Sequence, residues 1–552
     1  MRILAKAGAV FLCAAAAALA QPVVSANGMV NAASNVQAGL PNGDVAQGSI
    51  FSIYGNNMGP SSGVSATAFP LPTTAGLGGV TVQVKDSAGV TRYAVLLFAG
   101  MLQINAILPS ATAPGQAVLT VTYNGQTSAP QVFNVVPSSV GLFTRSAAGT
   151  GPALVQQYHN GVPALNDISN SAIPGDVAVL WGTGLGPVTT DETQQPVAPI
   201  LLAAGAEVWV GDQQVPPDNV AFQGRSTFAG VDQINFTIPN ITGCYVPVLV
   251  KVGNIVSNTV SISIGASGGT CSDPLNSFTG LNLQTNGLKQ ASVSLVRSTT
   301  SEPGFGDFIV DSASGEFVSY NGTQLASKEG QPVYGACTVS TFFGTQGTAA
   351  DPVTPTYLDA GTLLQLGGHP AIPSTSKGVY SVVLGTNSLL FGPAPAGLYL
   401  TPGDYTLTAT GGADVGQFTA TLTLPEPFAW TNRDAIASVS RANGVTVNWT
   451  GGSGYVTIIG ISATAQSVGA SFSCLAPASA GTFTVPPVVL LALPASATAI
   501  HIPGWIGTGG PLGVLTVENQ PVTVQLNPNP PQGLDVGSFS AVFSYTTFVG
   551  YN

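Results

Sequence analysis

The sequence predicts an all-β fold in which antiparallel β-sandwiches follow one another along the chain. Three observations lead to this prediction. The 552 residues include 68 Gly and 41 Pro, which divide the chain into many short segments. Those segments are rich in Val, Ile, Thr and Phe, which favour strands, and no capped helical pattern is seen in the first half. One set of motifs also occurs twice, as expected for tandem domains. At roughly 100–200 residues per domain, the length predicts about three to five domains.

Charged residues make up only 7% of the chain, against about 25% in ordinary soluble domains. The formal net charge is −11, with 13 Lys and Arg against 24 Asp and Glu. Nucleic acid is disfavoured as a partner because phosphate binding requires clustered cations. Disorder is disfavoured as well, since disordered chains are poor in β-branched and aromatic residues.

The first residues are typical of a secretory signal peptide. Arg2 and Lys6 precede an apolar run over residues 7–20, and small residues offer cleavage points after position 20 and after Ala26. We therefore assign residues 1–26 to the signal. No later segment has the ~18 consecutive apolar residues of a membrane helix. The expected location is extracellular or at the cell surface, with the periplasm as the alternative.

An internal repeat organises the first half of the chain. Residues 48–60 (GSIFSIYGNNMGP) match residues 175–187 (GDVAVLWGTGLGP). Residues 99–105 (AGMLQIN) match residues 229–235 (AGVDQIN) in the same order and at nearly the same spacing. A duplicated domain explains both matches.

The two copies span residues 27–137 and 138–265, and each is predicted to form short strands. Val80, Val82 and Val84 alternate with polar residues, and Gly, Pro or Asn marks the segment ends. Several punctuated strands in a domain of this size predict an antiparallel sandwich of immunoglobulin type.

The repeat also resembles a known family. A strand followed by Gly-x-x-(Leu/Met)-Gly-Pro is similar to the opening of IPT/TIG domains, the immunoglobulin-like modules of many surface proteins. Residues 30–34 (VNAAS), 71–73 (LPT) and 103–105 (QIN) resemble a tandem β-sandwich module of large secreted bacterial proteins of unassigned activity. The resemblance covers about residues 27–265. It implies a structural or binding role and supplies no catalytic residues.

The second half continues the β pattern after a small-residue linker at residues 266–282. Residues 412–418 (GADVGQF) recur as residues 533–539 (GLDVGSF), which predicts two further sandwiches, 283–425 and 426–552. The alternative is one larger unit.

Four cysteines remain after the signal, and four cysteines permit three disulfide connectivities. We favour Cys244 with Cys271, which would tie a domain end to its linker, and Cys337 with Cys474. A thiolate metal site is disfavoured because no C-x-x-C spacing occurs.

Two pairs of amides are candidate ligand contacts. Gln103 and Asn105 share one strand face in the first copy, and Gln233 and Asn235 repeat this in the second. They could bind a polar ligand such as a glycan, or they could satisfy neighbouring backbone groups.

The tryptophans divide into core and surface candidates. Trp181 aligns with Tyr54 in a strand that is apolar on both faces, so we expect it in the core. Trp209 alternates with Val208 and Val210 and is predicted to lie on an outer face. There it would pack against an adjacent domain or stack on a sugar.

The sequence shows no convergent catalytic set, and we expect no catalytic residues and no cofactor. The nearest approach to an acidic cluster is in the second half. It consists of Asp351, Asp359, Asp404 and Asp414. Calcium is left open as a ligand, although no D-x-D-x-D-G loop occurs.

These observations predict a secreted, non-enzymatic array of sandwiches for adhesion, scaffolding or surface binding. The expected partner is an extracellular polysaccharide or a surface protein. The alternative is an extracellular carbohydrate-active enzyme with its carboxylates in the C-terminal half. Because charges that discourage edge pairing are scarce, we expect the sheet edges either to be shielded by neighbouring domains or to be the places where the protein associates with itself.

Overall fold

The computed structural model confirms an all-β fold built of tandem antiparallel sandwiches. It describes residues 21–272, 287–302, 306–321, 334–343, 355–368, 370–387, 397–425, 428–465, 468–497, 513–521 and 523–552. The predicted signal peptide up to residue 20 and most of the 266–282 linker lie outside these ranges. Within them, no helix is both long and apolar enough to cross a membrane.

Sandwich 1 comprises strands β1 to β11. They are β1 (Val23–Asn31), β2 (Val45–Ala46), β3 (Ile50–Asn56), β4 (Val64–Ser65), β5 (Val80–Lys85), β6 (Thr91–Tyr93), β7 (Val95–Ala99), β8 (Gln103–Ile107), β9 (Gly115–Tyr123), β10 (Gln126–Thr127) and β11 (Gln131–Val136). One sheet has the order β1-β3-β8-β7-β4, and the other has the order β2-β11-β9-β5-β6 with β10 paired to β9. The predicted alternation is confirmed in β5, where Val80, Val82 and Val84 are all fully buried between the sheets.

Sandwich 2 comprises strands β12 to β23. They are β12 (Gly141–Leu142), β13 (Val155–His159), β14 (Val162–Leu165), β15 (Val177–Thr183), β16 (Ile200–Leu201), β17 (Glu207–Val210), β18 (Gln213–Gln214), β19 (Val220–Arg225), β20 (Asp232–Thr237), β21 (Gly243–Val252), β22 (Ile255–Val256) and β23 (Val260–Ile264). The first sheet runs β14-β13-β15-β20-β19-β16 with β12 on β15, and the second runs β18-β17-β21-β22 with β23 on β21.

The described residues of the C-terminal half form strands β24 to β42, one short α-helix and the 3-10 turns Arg433–Ala435 and Ala478–Ala480. Its elements are β24 (Leu288–Glu302), β25 (Gly306–Tyr320), β26 (Cys337–Phe343), β27 (Thr356–Tyr357), β28 (Leu363–Leu366), β29 (Ile372–Ser376), β30 (Val379–Thr386), β31 (Gly403–Ala409), β32 (Phe418–Leu424), β33 (Ala429–Trp430), β34 (Ser438–Val439), β35 (Val445–Thr450), β36 (Tyr455–Ala463), β37 (Val468–Pro477), β38 (Thr482–Val485), α1 (Pro487–Leu491), β39 (Gly513–Gln520), β40 (Thr523–Gln525), β41 (Val536–Phe548) and β42 (Gly550–Tyr551).

One large sheet runs through this half in the order β26-β37-β36-β39-β41-β24-β25-β30-β29-β28-β31-β32. Its centre is the parallel pairing of β24 with β41. Two hydrophobic cores lie along this sheet. The core formed mainly by residues before position 425 also contains Leu526 and Phe539. The core formed mainly by residues after that position also contains Val339. The domain boundary between residues 425 and 426 remains a prediction. The large sheet contains strands from both sides of this boundary.

Both expected disulfides are present. Cys244 is bonded to Cys271, which ties the start of β21 to the linker. Cys337 is bonded to Cys474, and these two residues lie directly opposite each other on β26 and β37. The second bond joins the two segments of the C-terminal half.

Candidate ligand-binding groove

An open groove of about 790 Å³ lies on the outer face of sandwich 2, across strands β13, β15 and β20. The side chains of β15 alternate between the core and the outer face of the sheet, and the outward side chains form part of the groove. Ala178 and Leu180 of β15 point into the core, so the intervening side chains of the strand point outward. The groove is lined by Gln156, Tyr158, His159, Asn160, Gly161, Ile173, Pro174, Gly175, Asp176, Val177, Val179, Trp181, Gln233 and Asn235.

Trp181 forms the aromatic end of the groove. The expectation that it lies in the core is wrong, because the core side of β15 is already filled by Ala178 and Leu180. The ring is partly exposed and packs edge-on against Phe228, with ring centroids 5.8 Å apart and an interplanar angle of 75°. Tyr158 lies farther along the groove, and its hydroxyl donates to Gln156 Oε1 at 3.2 Å.

The two amides that the repeat singled out lie beside this tryptophan. Gln233 is directly opposite Trp181 in the β15–β20 ladder, and Asn235 is opposite Val179. Gln233 Nε2 donates to Asn235 Oδ1 at 2.8 Å, which fixes both side chains. In the described part of the chain, Gln233 Oε1 and Asn235 Nδ2 have no protein partner. The groove therefore presents one acceptor and one donor next to an aromatic ring.

The far end of the groove carries a histidine and a carboxylate. His159 Nδ1 lies 2.8 Å from Asp176 Oδ1, and Asn160 Nδ2 lies 3.0 Å from His159 Nε2. Asp176 is 7% exposed and also accepts the Ile173 backbone N–H. The carboxylate thus positions the imidazole, while the ring itself remains open to solvent.

The equivalent face of sandwich 1 has a different environment. Gln103 Nε2 again donates to Asn105 Oδ1 at 2.8 Å, and Tyr54 takes the place of Trp181 with 37% exposure. However, Ile50 and Ile107 on this face are buried against sandwich 2. Sandwich 1 therefore uses part of this surface as a domain junction.

Trp209 does not belong to the groove. It lies on β17 and packs, partly buried, against the core of the C-terminal half, where Leu249 and Val256 of sandwich 2 are also buried. Its Nε1 atom is buried and has no hydrogen-bond partner. The structure thus places Trp209 at the junction between sandwich 2 and the C-terminal half.

The described members of the predicted acidic cluster, Asp359, Asp404 and Asp414, are each engaged by structural hydrogen bonds. Asp414 Oδ2 accepts the Asp359 backbone N–H at 2.8 Å and lies 2.9 Å from Lys377 Nζ. The Asp359 N–H, followed by Lys377, lowers the pKa of the Asp414 carboxyl, which is the opposite of what a general acid requires. Asp404 accepts from the Thr423 hydroxyl on a separate strand pair, and Asp351 lies outside the described residues. Among the residues described, no group of three His, Cys, Asp or Glu could hold a metal ion.

No protein-family model and no curated protein matches the chain. Among solved structures, it is similar at 13% identity to a tetra-tandem repeat in the extending region of a large adhesion protein, with 95% of this chain and 98% of that chain covered and a TM-score of 0.12. It is also similar to the surface glycan-binding protein PbSGBP-B from Prevotella bryantii, at 13% identity over 53% of each chain and a TM-score of 0.15. Domains 5–6 of the S-layer protein SbsC match at 15% identity, over 44% of this chain and 98% of that chain, with a TM-score of 0.15. Because these TM-scores are far below 0.5, the function is inferred from this chain's own residues.

Proposed function

We propose that this chain is a non-enzymatic, extracellular or surface polysaccharide-binding protein and that the groove of sandwich 2 is its binding site. The observation that carries the proposal is the position of Trp181. It is a partly exposed aromatic ring on a rigid sheet, next to a free amide oxygen and a free amide nitrogen. The remaining sandwiches would serve as the scaffold that presents this face.

A sugar suits this surface for physical reasons. A pyranose has an apolar C–H face that can cover an aromatic ring and a rim of hydroxyls that exchange hydrogen bonds. Gln233 Oε1 can accept from one hydroxyl and Asn235 Nδ2 can donate to another. An open groove along a sheet can also bind the internal sugar units of a polysaccharide, whereas a closed pocket would select the end of the polysaccharide.

The charges favour a neutral polymer. No Lys or Arg is among the residues that line the groove, and its one carboxylate, Asp176, contacts His159 Nδ1 at 2.8 Å. The whole chain carries a formal charge of −11. Uronate or sulfated polymers would therefore be repelled without a local cation to pair with them.

The disulfides support a location outside the cytoplasm, since such bonds persist in oxidising compartments. The signal-like first residues point the same way. A binding role is favoured over a glycosidase because two members of the predicted acidic cluster, Asp359 and Asp414, are engaged by backbone N–H groups and Lys377.

The test is binding of the purified protein to soluble polysaccharides, with neutral glucans and xylans compared with uronate polymers in affinity electrophoresis. Trp181→Ala should weaken binding to the preferred neutral polymer at least about 10-fold. Tyr54→Ala is the matched control, because Tyr54 occupies the equivalent strand position in sandwich 1 and should leave the affinity unchanged. Equal affinities for the wild type and Trp181→Ala would refute the proposal.

A further inference from the structure

We infer that the binding surface continues past the groove onto Phe228 and that sandwich 1 holds this ring in place, so that sandwiches 1 and 2 form a single binding unit. This inference rests on the proposed function of the groove. It adds a second aromatic contact and a reason for the close junction between the two sandwiches.

Phe228 lies in the loop between β19 and β20, at the Trp181 end of the groove. Its side chain is 60% exposed, although it is a large aromatic residue, and its ring meets Trp181 edge-on. The loop is ordered by its own hydrogen bonds: Phe228 N donates to Ser226 Oγ at 3.0 Å, and Val231 N donates to the Phe228 carbonyl at 3.1 Å. A polymer stacked on Trp181 and continuing in this direction would contact the Phe228 ring next.

The other side of the same loop is bound to sandwich 1. Thr183 Oγ1 donates to the Gly230 carbonyl at 2.7 Å and accepts the Ile50 backbone N–H at 2.9 Å. This hydroxyl therefore links the first sandwich directly to the loop. Ala229 and Val231 also pack against a small apolar cluster formed by Ile50, Leu71, Val95 and Ile107.

Gly230 shows how closely the loop fits. A Cβ added there would lie 2.6 Å from Ile50 Cγ1 and 2.9 Å from Ile107 Cγ1, both of sandwich 1. The residue also has a φ of +72°, which disfavours any side chain. Alanine at this position would push the loop away from sandwich 1, and Phe228 would move with it.

The groove and the junction also share strand β15. Thr183 follows Trp181 by two residues, and both belong to the same face of the sheet. Trp181 is held by the pairing of β15 with β13 and β20 in sandwich 2, whereas the loop that carries Phe228 is held by sandwich 1.

The experiment measures the affinity of the full chain for the neutral polymer selected above, together with the melting temperature. Phe228→Ala removes an exposed ring, so it should weaken binding about 2- to 12-fold without changing the melting temperature. Gly230→Ala should weaken binding by a similar factor through displacement of the ring. The control is Gly253→Ala, which has a φ of +59° at the tip of the β21–β22 hairpin and no neighbouring atoms around an added Cβ.

The double variant Phe228→Ala/Gly230→Ala separates a positioning effect from a general loss of stability. If sandwich 1 acts through the ring, Gly230→Ala should have no further effect on affinity once Phe228 is gone. Full additivity would overturn the coupling, and wild-type affinity of Phe228→Ala would overturn the second contact. In either case, the proposed function is still supported if Trp181→Ala strongly weakens the affinity for the polymer. If Trp181→Ala leaves that affinity unchanged, the proposed function is refuted as well.

Discussion

Glu192 connects the first two sandwiches through a small set of polar contacts. Its carboxylate accepts both the backbone N–H and the hydroxyl of Ser110 at 2.8 Å, and Arg225 Nη1 lies 3.9 Å away. Asp191 adds a like charge nearby, and Arg225 is itself paired with Asp232 at 2.7 Å. Burial raises the pKa of the Glu192 carboxyl above its ordinary value of 4.5, and the Ser110 hydrogen bonds offset only part of this.

This shift predicts a pH-dependent stability. Because the pKa of Glu192 is higher in the folded chain, its contribution is fully present below the ordinary pKa and is lost as pH rises through the folded value. Glu192→Gln removes this titration. The free energy of unfolding of the wild type should therefore fall relative to that of Glu192→Gln as the pH rises from the ordinary pKa of 4.5 through the raised pKa of the folded chain. Denaturant unfolding at several pH values measures the difference, and a constant offset would contradict the assignment.

Trp209 provides the complementary prediction about stability. Since it packs at the junction with the C-terminal half, Trp209→Ala should lower the free energy of unfolding by about 1–3 kcal/mol. Polysaccharide affinity should not change. Thermal unfolding and the binding assay are measured on the same sample, with Trp181→Ala as the opposite case: little change in stability and a large loss of binding. Loss of affinity without loss of stability in Trp209→Ala would place this residue in the binding site.

At the scale of the strand, β1 distinguishes between the two cleavage points of the predicted signal peptide. Val23 pairs with Asn56 and Val24 with Gly55, and Val24 is 3% exposed in the core of sandwich 1. Of the two cleavage points in the sequence, the one after residue 20 preserves this pairing and the one after Ala26 removes it.

We therefore expect the mature chain to begin at Gln21. Mass spectrometry of the processed protein identifies the first residue, and a start at Asn27 would contradict the expectation. A variant that lacks residues 21–26 should lose about 1.5–3 kcal/mol of stability, the value of burying one Val side chain.

Local patterns predicted the elements of the first half well. Alternation identified β5, and the repeat singled out Gln233 and Asn235, but no sequence pattern paired these amides with Trp181. The same alternation could not orient β15, because Val177, Val179 and Trp181 are apolar on its outer side as well. A strand that is apolar on both faces reads as core from sequence alone.

Long-range pairings could not be predicted in the same way. The parallel ladder between β24 and β41 joins residues at opposite ends of the C-terminal half, and no local pattern encodes such a pair. Phe228 lies in the loop between β19 and β20, where strand alternation predicts nothing about a side chain. The signal that could have identified it is a large aromatic residue directly before the repeated AGVDQIN segment, at a position where a loop would ordinarily be polar.

At the scale of the whole molecule, the sandwiches are joined by specific contacts. Ile50, Thr183 and Gly230 connect the first two, while Trp209 and a hydrogen bond from Val339 N to Thr259 Oγ1 at 3.1 Å connect the second to the C-terminal half. These junctions would keep the groove at a fixed orientation along the chain.

The low charge content of the chain is consistent with the contacts that cover the edges of the large sheet. At one edge of the large sheet, β26 donates its Val339 N–H to sandwich 2. At the other edge, Thr419 of β32 exchanges two backbone hydrogen bonds with Asn527, which follows β40. Covered edges need fewer charges to prevent unwanted pairing. Self-association through the remaining edges stays a prediction.

The measurement that tests the central claim most directly is the dissociation constant of Trp181→Ala for a neutral polysaccharide that the wild type binds, with Tyr54→Ala measured alongside. We predict an affinity at least about 10-fold weaker for Trp181→Ala and an unchanged affinity for Tyr54→Ala. Unchanged binding by Trp181→Ala, or an equal loss in both variants, would contradict the assignment of the groove on sandwich 2 as the binding site.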